Sequence, residues 1–255
     1  MKQSVAKFSD FLVEMHDMAE MLGRSILYIF LPPFYFRDII NQMYLIGVKS
    51  LVIVLMTSSF SGLVLSLQFG HEMAIFGAKM YTGSVLSVTI VRELGPVLIS
   101  LVIAGRVGAG ITAELGSMAV TEQIDAMRAL GINPYKKLAK PRFLALLIML
   151  PILVAIGDMS AILGGWLISV TELNISSSFF WSLSTQYLYL SDIFAGMIKP
   201  VIFAIAIATV SCYLGFSVRG GTKGVGEATT KSVVLSSILI FILDFLITKI
   251  TLAAV

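Results

Sequence analysis

Four ionisable side chains lie inside stretches that are otherwise apolar: the adjacent Arg92 and Glu93 of "VRELGPVLIS", then Lys199, followed by Pro200, and Asp244. Asp158 is an additional acid in a similar setting. Each such residue at the centre of a bilayer costs on the order of 2.5–3.5 kcal/mol, so it must face a protein interior or a polar cavity and find a partner there. Arg92, Glu93, Lys199 and Asp244 sum to zero charge and can neutralise one another, whereas Asp158 would add an unpaired negative charge. Neighbours on a helix point about 100° apart, so Arg92 and Glu93 cannot both face one partner. Two readings follow. The charges form an ion-pair network that only sets helix register, or they line a polar pathway for something amphiphilic.

The elements that carry these residues are membrane spans. The chain has 255 residues, 57% hydrophobic and 13% charged. A soluble domain carries roughly a quarter charged residues, so charge this sparse cannot cover a water-facing surface. A spanning helix needs about 20 apolar residues, and five stretches qualify, at about 47–69, 84–105, 142–170, 192–218 and 232–254. Redrawing the second one does not remove the buried charge. A start after Glu93 leaves Leu94 to Ala104, too short to cross, and sliding further brings in Arg106. Pro96, Pro151 and Pro200 sit inside spans, where each removes a backbone hydrogen bond and bends its helix.

The N-terminal region, residues 1–46, differs from the single transmembrane domain expected over 47–255. Val5, Phe8, Leu12, Met15, Ala19, Leu22, Ile26 and Ile29 recur at steps of three and four, opposite Lys7, Asp10, Glu14, Asp17 and Glu20. This is one apolar stripe on a helix. It predicts an amphipathic helix lying on the membrane surface, broken at Pro32–Pro33; packing on a partner protein is the other reading. Basic residues concentrate in alternate loops, and residues 171–191 contain neither Lys nor Arg. The asymmetry predicts a cytoplasmic N-terminus and an outside C-terminus, as an odd number of spans requires.

Between the second and third spans lies "GRVGAGITAELGSMAVTEQIDAMRALGINPYKKLAKPR". Here Thr121 is expected to cap a short helix at about 121–131 that is opened by Glu122 and Asp125, carries Arg128 in its last turn and stops at Gly131. The helix is either a docking element or a surface helix on lipid headgroups, the latter favoured by Lys136, Lys137, Lys140 and Arg142. No Gly-Lys dipeptide occurs, so the chain has no phosphate-binding loop of the GxxxxGK[ST] type. "GGTKGVGE" at 220–227 reads as a flexible turn. Two distant histidines and one cysteine, Cys212, offer no metal-ligand spacing, and Cys212 reads as a buried thiol. No nucleophile elbow is present, so catalysis within the chain is poorly supported.

The stretch "VRELGPVLISLVIAGRVGAGITAELGSMAVTEQIDAM", residues 91–127, closely resembles the signature of MlaE-type permeases, the membrane subunits of MCE-associated ABC transporters. The likeness runs from about Gly47 to Asp244, with Lys199 and Asp244 where that family has intramembrane charges. The resemblance implies an all-α integral membrane protein, a homodimer in the bacterial inner membrane, with an interfacial helix, five transmembrane helices and a periplasmic C-terminus. It implies that phospholipid moves between inner and outer membranes, and that a separate cytoplasmic ABC ATPase binds ATP and magnesium. That ATPase would dock on the helix bearing Glu122, Asp125, Arg128 and Gly131. A periplasmic ring of MCE-domain proteins and a STAS-domain protein are further implied partners; no nucleic acid is. By position, Leu65, Met73 and Phe76 would line the lipid cavity between protomers, with Arg92, Glu93, Lys199 and Asp244 as its polar set. Glu72 and Asp158 depart from the family pattern. The competing readings are a self-sufficient channel or proton-coupled carrier using Glu93 and Asp244, and a membrane-embedded enzyme acting on lipids.

Overall fold

The computed structural model describes residues 35–253, together with residues 16, 18, 20, 21, 23, 27, 28, 31 and 32. The N-terminal apolar stripe from Val5 to Ile29 lies outside the described residues. Among the described residues every regular element is helical, and five helical segments are long and apolar enough to cross a membrane: Phe36–Ile75, Lys79–Val120, Tyr135–Thr171, Leu190–Phe216 and Gly221–Thr251. The number matches the five predicted stretches. Four of the five run longer than predicted, because hydropathy registers only the apolar part of a helix and misses its polar ends; the fourth has the predicted length, two residues earlier.

The elements, in chain order, are α1 (Phe36–Ile46), α2 (Leu51–Ile75), α3 (Thr82–Thr89), α4 (Gly95–Ile103), α5 (Ala109–Val120), α6 (Gln123–Ala129), α7 (Lys140–Thr171), α8 (Ser177–Gln186), α9 (Leu190–Phe216) and α10 (Gly221–Ala253). Within the second span, π-helical turns at Ile90–Leu94 and Ala104–Gly108 separate α3, α4 and α5. The first has a covalent cause nearby. Pro96 has no N–H to give, and the Gly95 N–H reaches back five residues to the Ile90 carbonyl.

Two compact units divide the chain: residues 1–43, 104–146 and 205–238 form one, and residues 44–103, 147–204 and 239–255 the other. In the second unit, α2 shows why this sequence packs. Val54, Ser58, Gly62, Ser66 and Gly70, four residues apart, form its buried edge, while Val52, Met56, Phe60 and Val64 are exposed. Small residues let helix backbones approach closely. A Cβ added at Gly62 would lie 1.8 Å from the Ala161 carbonyl oxygen, and one at Gly164 would lie 2.5 Å from that of Ser59. The approach is stitched by Ser66 donating to the Gly165 carbonyl at 2.8 Å, and by the hydroxyl pairs Ser66–Ser169 (2.9 Å) and Ser59–Ser160 (2.6 Å). The core of this unit gathers Leu86, Ile90, Val91, Ala161, Ile162, Ile175 and Phe180, and α8 is pinned to α3 by Ser184 donating to the Gly83 carbonyl at 3.1 Å.

In the first unit, Thr112 on α5 donates to the Ser211 carbonyl on α9 at 3.1 Å, and Ser232 on α10 meets the Ser211 hydroxyl at 3.2 Å. Cys212 is a fully buried thiol there, as its apolar surroundings predict. The glycine-rich 220–227 stretch differs from expectation. Only Gly220 and Gly221 take left-handed φ, +87° and +72°, and α10 begins at Gly221. Beyond them, Gly224 allows a close contact, since a Cβ there would lie 2.0 Å from the Arg219 carbonyl oxygen, whereas a Cβ at Gly226 would meet nothing.

Candidate functional site

The polar site forms in the second unit, around Lys199. Gly196, one turn before it on α9, brings that helix against the second span: a Cβ there would lie 2.1 Å from the Val91 carbonyl oxygen. This approach carries Lys199 to Glu93. The Lys199 ammonium donates to Glu93 Oε2, to Thr248 Oγ1 at 2.9 Å, and lies 2.8 Å from Asp244 Oδ1. Glu93 and Thr248 accept two of its three protons, and Asp244 Oδ1 pairs with it by charge without a hydrogen bond. Thr248 in turn donates to Glu93, 3.2 Å from Oε2. The Lys199 side chain is 2% exposed, against 36% for Glu93 and 22% for Asp244. The base is sealed while its acids remain partly accessible, so the cluster presents oxygen outward.

Of the four charges that can neutralise one another, three meet: Glu93, Lys199 and Asp244. Arg92 does not join them: it pairs with Asp192 at 3.4 Å. The reason is the angular offset between neighbours on a helix. Asp192 and Thr248 escape sequence reading. Asp192 sits in the first turn of α9 and caps it by accepting the Tyr189 N–H at 3.1 Å, so in sequence it reads as an ordinary helix-start acid. Thr248 lies four residues after Asp244, on the same helix face, and that spacing was the available signal.

Asp158 also packs in this unit, on α7. It is 7% exposed, and its Oδ1 has no hydrogen-bond partner. Leu65 is half-buried and lines a crevice beside it with Leu94 and Leu98. Met73 is half-buried near the end of α2, and Phe76, just past that end, is 82% exposed. Leu65 thus reaches Asp158 rather than the Lys199 cluster.

In the first unit, α6 occupies Gln123–Ala129 inside the predicted 121–131. Thr121 does not cap it. The Thr121 hydroxyl donates back to the Ser117 carbonyl at 2.8 Å, ending α5. Glu122 holds the N-cap position instead, with a left-handed φ of 60° and no side-chain cap bond. The sharp reversal between two abutting helices demands that conformation, and it takes Thr121 out of reach. Gly131 ends α6 as expected. At φ +75°, its N–H bonds the Arg128 carbonyl at 3.0 Å and that of Ile132 bonds Met127 at 2.9 Å, the Schellman pattern. Asp125 and Arg128 pair at 2.9 Å on the exposed face, and Ile124 is the buried anchor. A pocket of about 220 Å³ beside α6, lined by Arg128, Tyr135, Tyr213 and Phe216, has no sequence signal.

The basic residues after α6 are engaged within the protein. Lys137 pairs with Asp38 at 2.6 Å and lies 4.1 Å from the Tyr35 ring centroid. Lys136 lies 5.2 Å from the Tyr28 ring centroid, and the buried Lys140 donates to the Leu31 carbonyl at 2.7 Å. Arg142 pairs with Glu114 at 2.8 Å. These contacts count against the lipid-headgroup reading of that charge.

Long apolar helices holding ion-paired acid and base make this a multi-pass membrane protein with a polar site inside its spans. The chain belongs to the MlaE permease family, whose model, described as Permease MlaE, matches residues 39–250. It is 43% identical over 247 residues to a probable ABC transporter permease protein of Rickettsia bellii, covering 97% of this chain and 92% of that one. It is 35% identical to the intermembrane phospholipid transport system permease protein MlaE of Haemophilus influenzae, over 86% and 85% of the two chains. It is 37% identical to the chloroplastic protein TRIGALACTOSYLDIACYLGLYCEROL 1 of Arabidopsis thaliana, covering 89% of this chain and 65% of that one.

Proposed function

We propose that the chain is the non-catalytic membrane subunit of an ABC transporter that moves phospholipid between the inner and outer membranes. The observation that carries this reading is the Lys199–Glu93–Asp244 cluster, a charged group set in apolar spans with its acids partly open. The kinship with a phospholipid-transport permease supports the same cargo. Two copies of the chain would enclose the lipid in the inner membrane, N-termini in the cytoplasm and C-termini in the periplasm. Leu65, Met73 and Phe76 would face the acyl chains, and Arg92, Glu93, Lys199 and Asp244 the polar end of the lipid. A cytoplasmic ATPase, binding ATP and magnesium, would dock on α6 through Glu122, Asp125 and Arg128. A periplasmic MCE-domain ring and a STAS-domain protein would complete the assembly. Binding and hydrolysis of ATP would move α6 and shift the spans between two arrangements.

The test is purification from native membranes, followed by reconstitution and measurement of labelled phospholipid movement. The expected result is a co-purifying ATPase, lost on Glu122→Lys with Asp125→Lys, and lipid movement that requires ATP. Proton-coupled flux by the chain alone, without an ATPase, would overturn the proposal in favour of a carrier.

A further inference from the structure

We infer that Asp158 and the crevice it faces form a headgroup-selecting subsite, which holds a lipid's primary ammonium or hydroxyl group and rejects a trimethylated one. The inference rests on the lipid-permease reading and adds a selectivity to it. The crevice lies between α2, the second span and α7, with Ser58 and Ser61 on one wall, Leu94 and Leu98 on another, and Asp158 on the third. Asp158 is more than nine-tenths buried, and its Oδ1 is without a hydrogen-bond partner. A buried polar atom left in that state is costly unless something fills the place of the missing donor.

Gly95 creates the space. A Cβ at that position would sit 1.7 Å from Asp158 Oδ1, so only glycine lets the carboxyl group occupy this place. Ser61 donates to the Thr57 carbonyl at 2.8 Å, which leaves its oxygen free to accept. Asp158 and Ser61 therefore offer acceptors to a ligand that brings N–H or O–H. The crevice has a volume of about 10 Å³ and is open on one side. That room suits about one water-sized group, so only the terminal group of a lipid enters and the rest stays outside. A terminal ammonium or hydroxyl matches that size, and a quaternary ammonium does not. It is also the wrong chemistry, because it has no proton to donate. A site built to hydrogen-bond a donor discriminates strongly against an analogue lacking it.

The experiment uses the protein purified from membranes and placed in vesicles of equal parts phosphatidylethanolamine, phosphatidylglycerol and phosphatidylcholine with matched acyl chains. Retained lipid is counted by native mass spectrometry. The expected result is enrichment of the first two over phosphatidylcholine by roughly five- to tenfold, in line with a net hydrogen bond. Asp158→Asn keeps an acceptor and should keep most of the enrichment; Asp158→Leu should abolish it. Thermal unfolding checks that Asp158→Leu folds. Leu98→Trp, which adds bulk to the lining and leaves the acid in place, provides a second route to the same loss. Parity in the unaltered protein, or enrichment that survives both Asp158→Leu and Leu98→Trp, would overturn the inference and leave only water in the crevice. Lipid retained without discrimination strikes this subsite alone. No lipid retained by any variant strikes the proposed function as well.

Discussion

The Lys199 ammonium lies 2.8 Å from Asp244 Oδ1, joining α9 to α10 inside apolar spans. Because Lys199 is sealed from solvent and its acids are not, the three groups are unequal in what their loss would cost. Lys199→Met leaves two acids facing each other, and removing one partner of a buried ion pair costs about 3–5 kcal/mol. The expected outcome is a clear drop in the thermal unfolding temperature in detergent. Adding Glu93→Gln and Asp244→Asn to Lys199→Met removes the orphaned charge and should restore most of the stability without restoring lipid movement.

Glu114 and Arg142 make a second unequal pair. The Arg142 side chain is 4% exposed and that of Glu114 is 52% exposed. After Arg142→Met, Glu114 can hydrate, so the cost should stay near about 1 kcal/mol. After Glu114→Ala, a guanidinium is left buried without its carboxylate, still donating to the Leu138 carbonyl at 2.6 Å, and about 2–3 kcal/mol should be lost. Denaturation of both variants checks the order, and a larger loss for Arg142→Met would contradict it.

Gly62 touches the Ala161 backbone, so even one added methyl has nowhere to go. Gly62→Ala should cost at least about 1–3 kcal/mol, the range for overpacking. The same change at Gly110, where an added Cβ meets nothing, should be neutral or slightly stabilising. Parallel melting curves make the comparison.

Glu122 holds a left-handed backbone at the start of α6. Glu122→Gly should relieve that conformation and raise stability by up to about 1 kcal/mol. If Glu122 also contacts an ATPase, the same variant should bind that partner less well. Stability and co-purification moving in opposite directions is therefore the expected signature, measured by unfolding and pull-down on one preparation.

Much of the molecule was legible before any coordinates. Sparse charge and five apolar runs define the helical membrane class, since backbone polar groups in lipid must be satisfied within a helix. The Gly131 stop of α6 was legible because a left-handed C-terminal position favours one residue type. The Thr121 cap was misread, since the local pattern could not reveal that α5 would run up to Val120 and claim its hydroxyl. The 220–227 stretch reads as a turn because its glycines weaken a helix locally, yet α10 begins at Gly221 and runs through it, with Gly224 against the Arg219 carbonyl.

Sequence alone established that charges had to be buried in apolar helices, because charge and hydropathy are local properties. Which charges meet was decided by tertiary packing. Gly196 against Val91 sets Lys199 on Glu93, the angle between neighbouring residues sends Arg92 to Asp192, and Gly95 opens the place that Asp158 fills. Such pairings depend on how closely two backbones approach and in which register, and residues about a hundred positions apart carry no local trace of either.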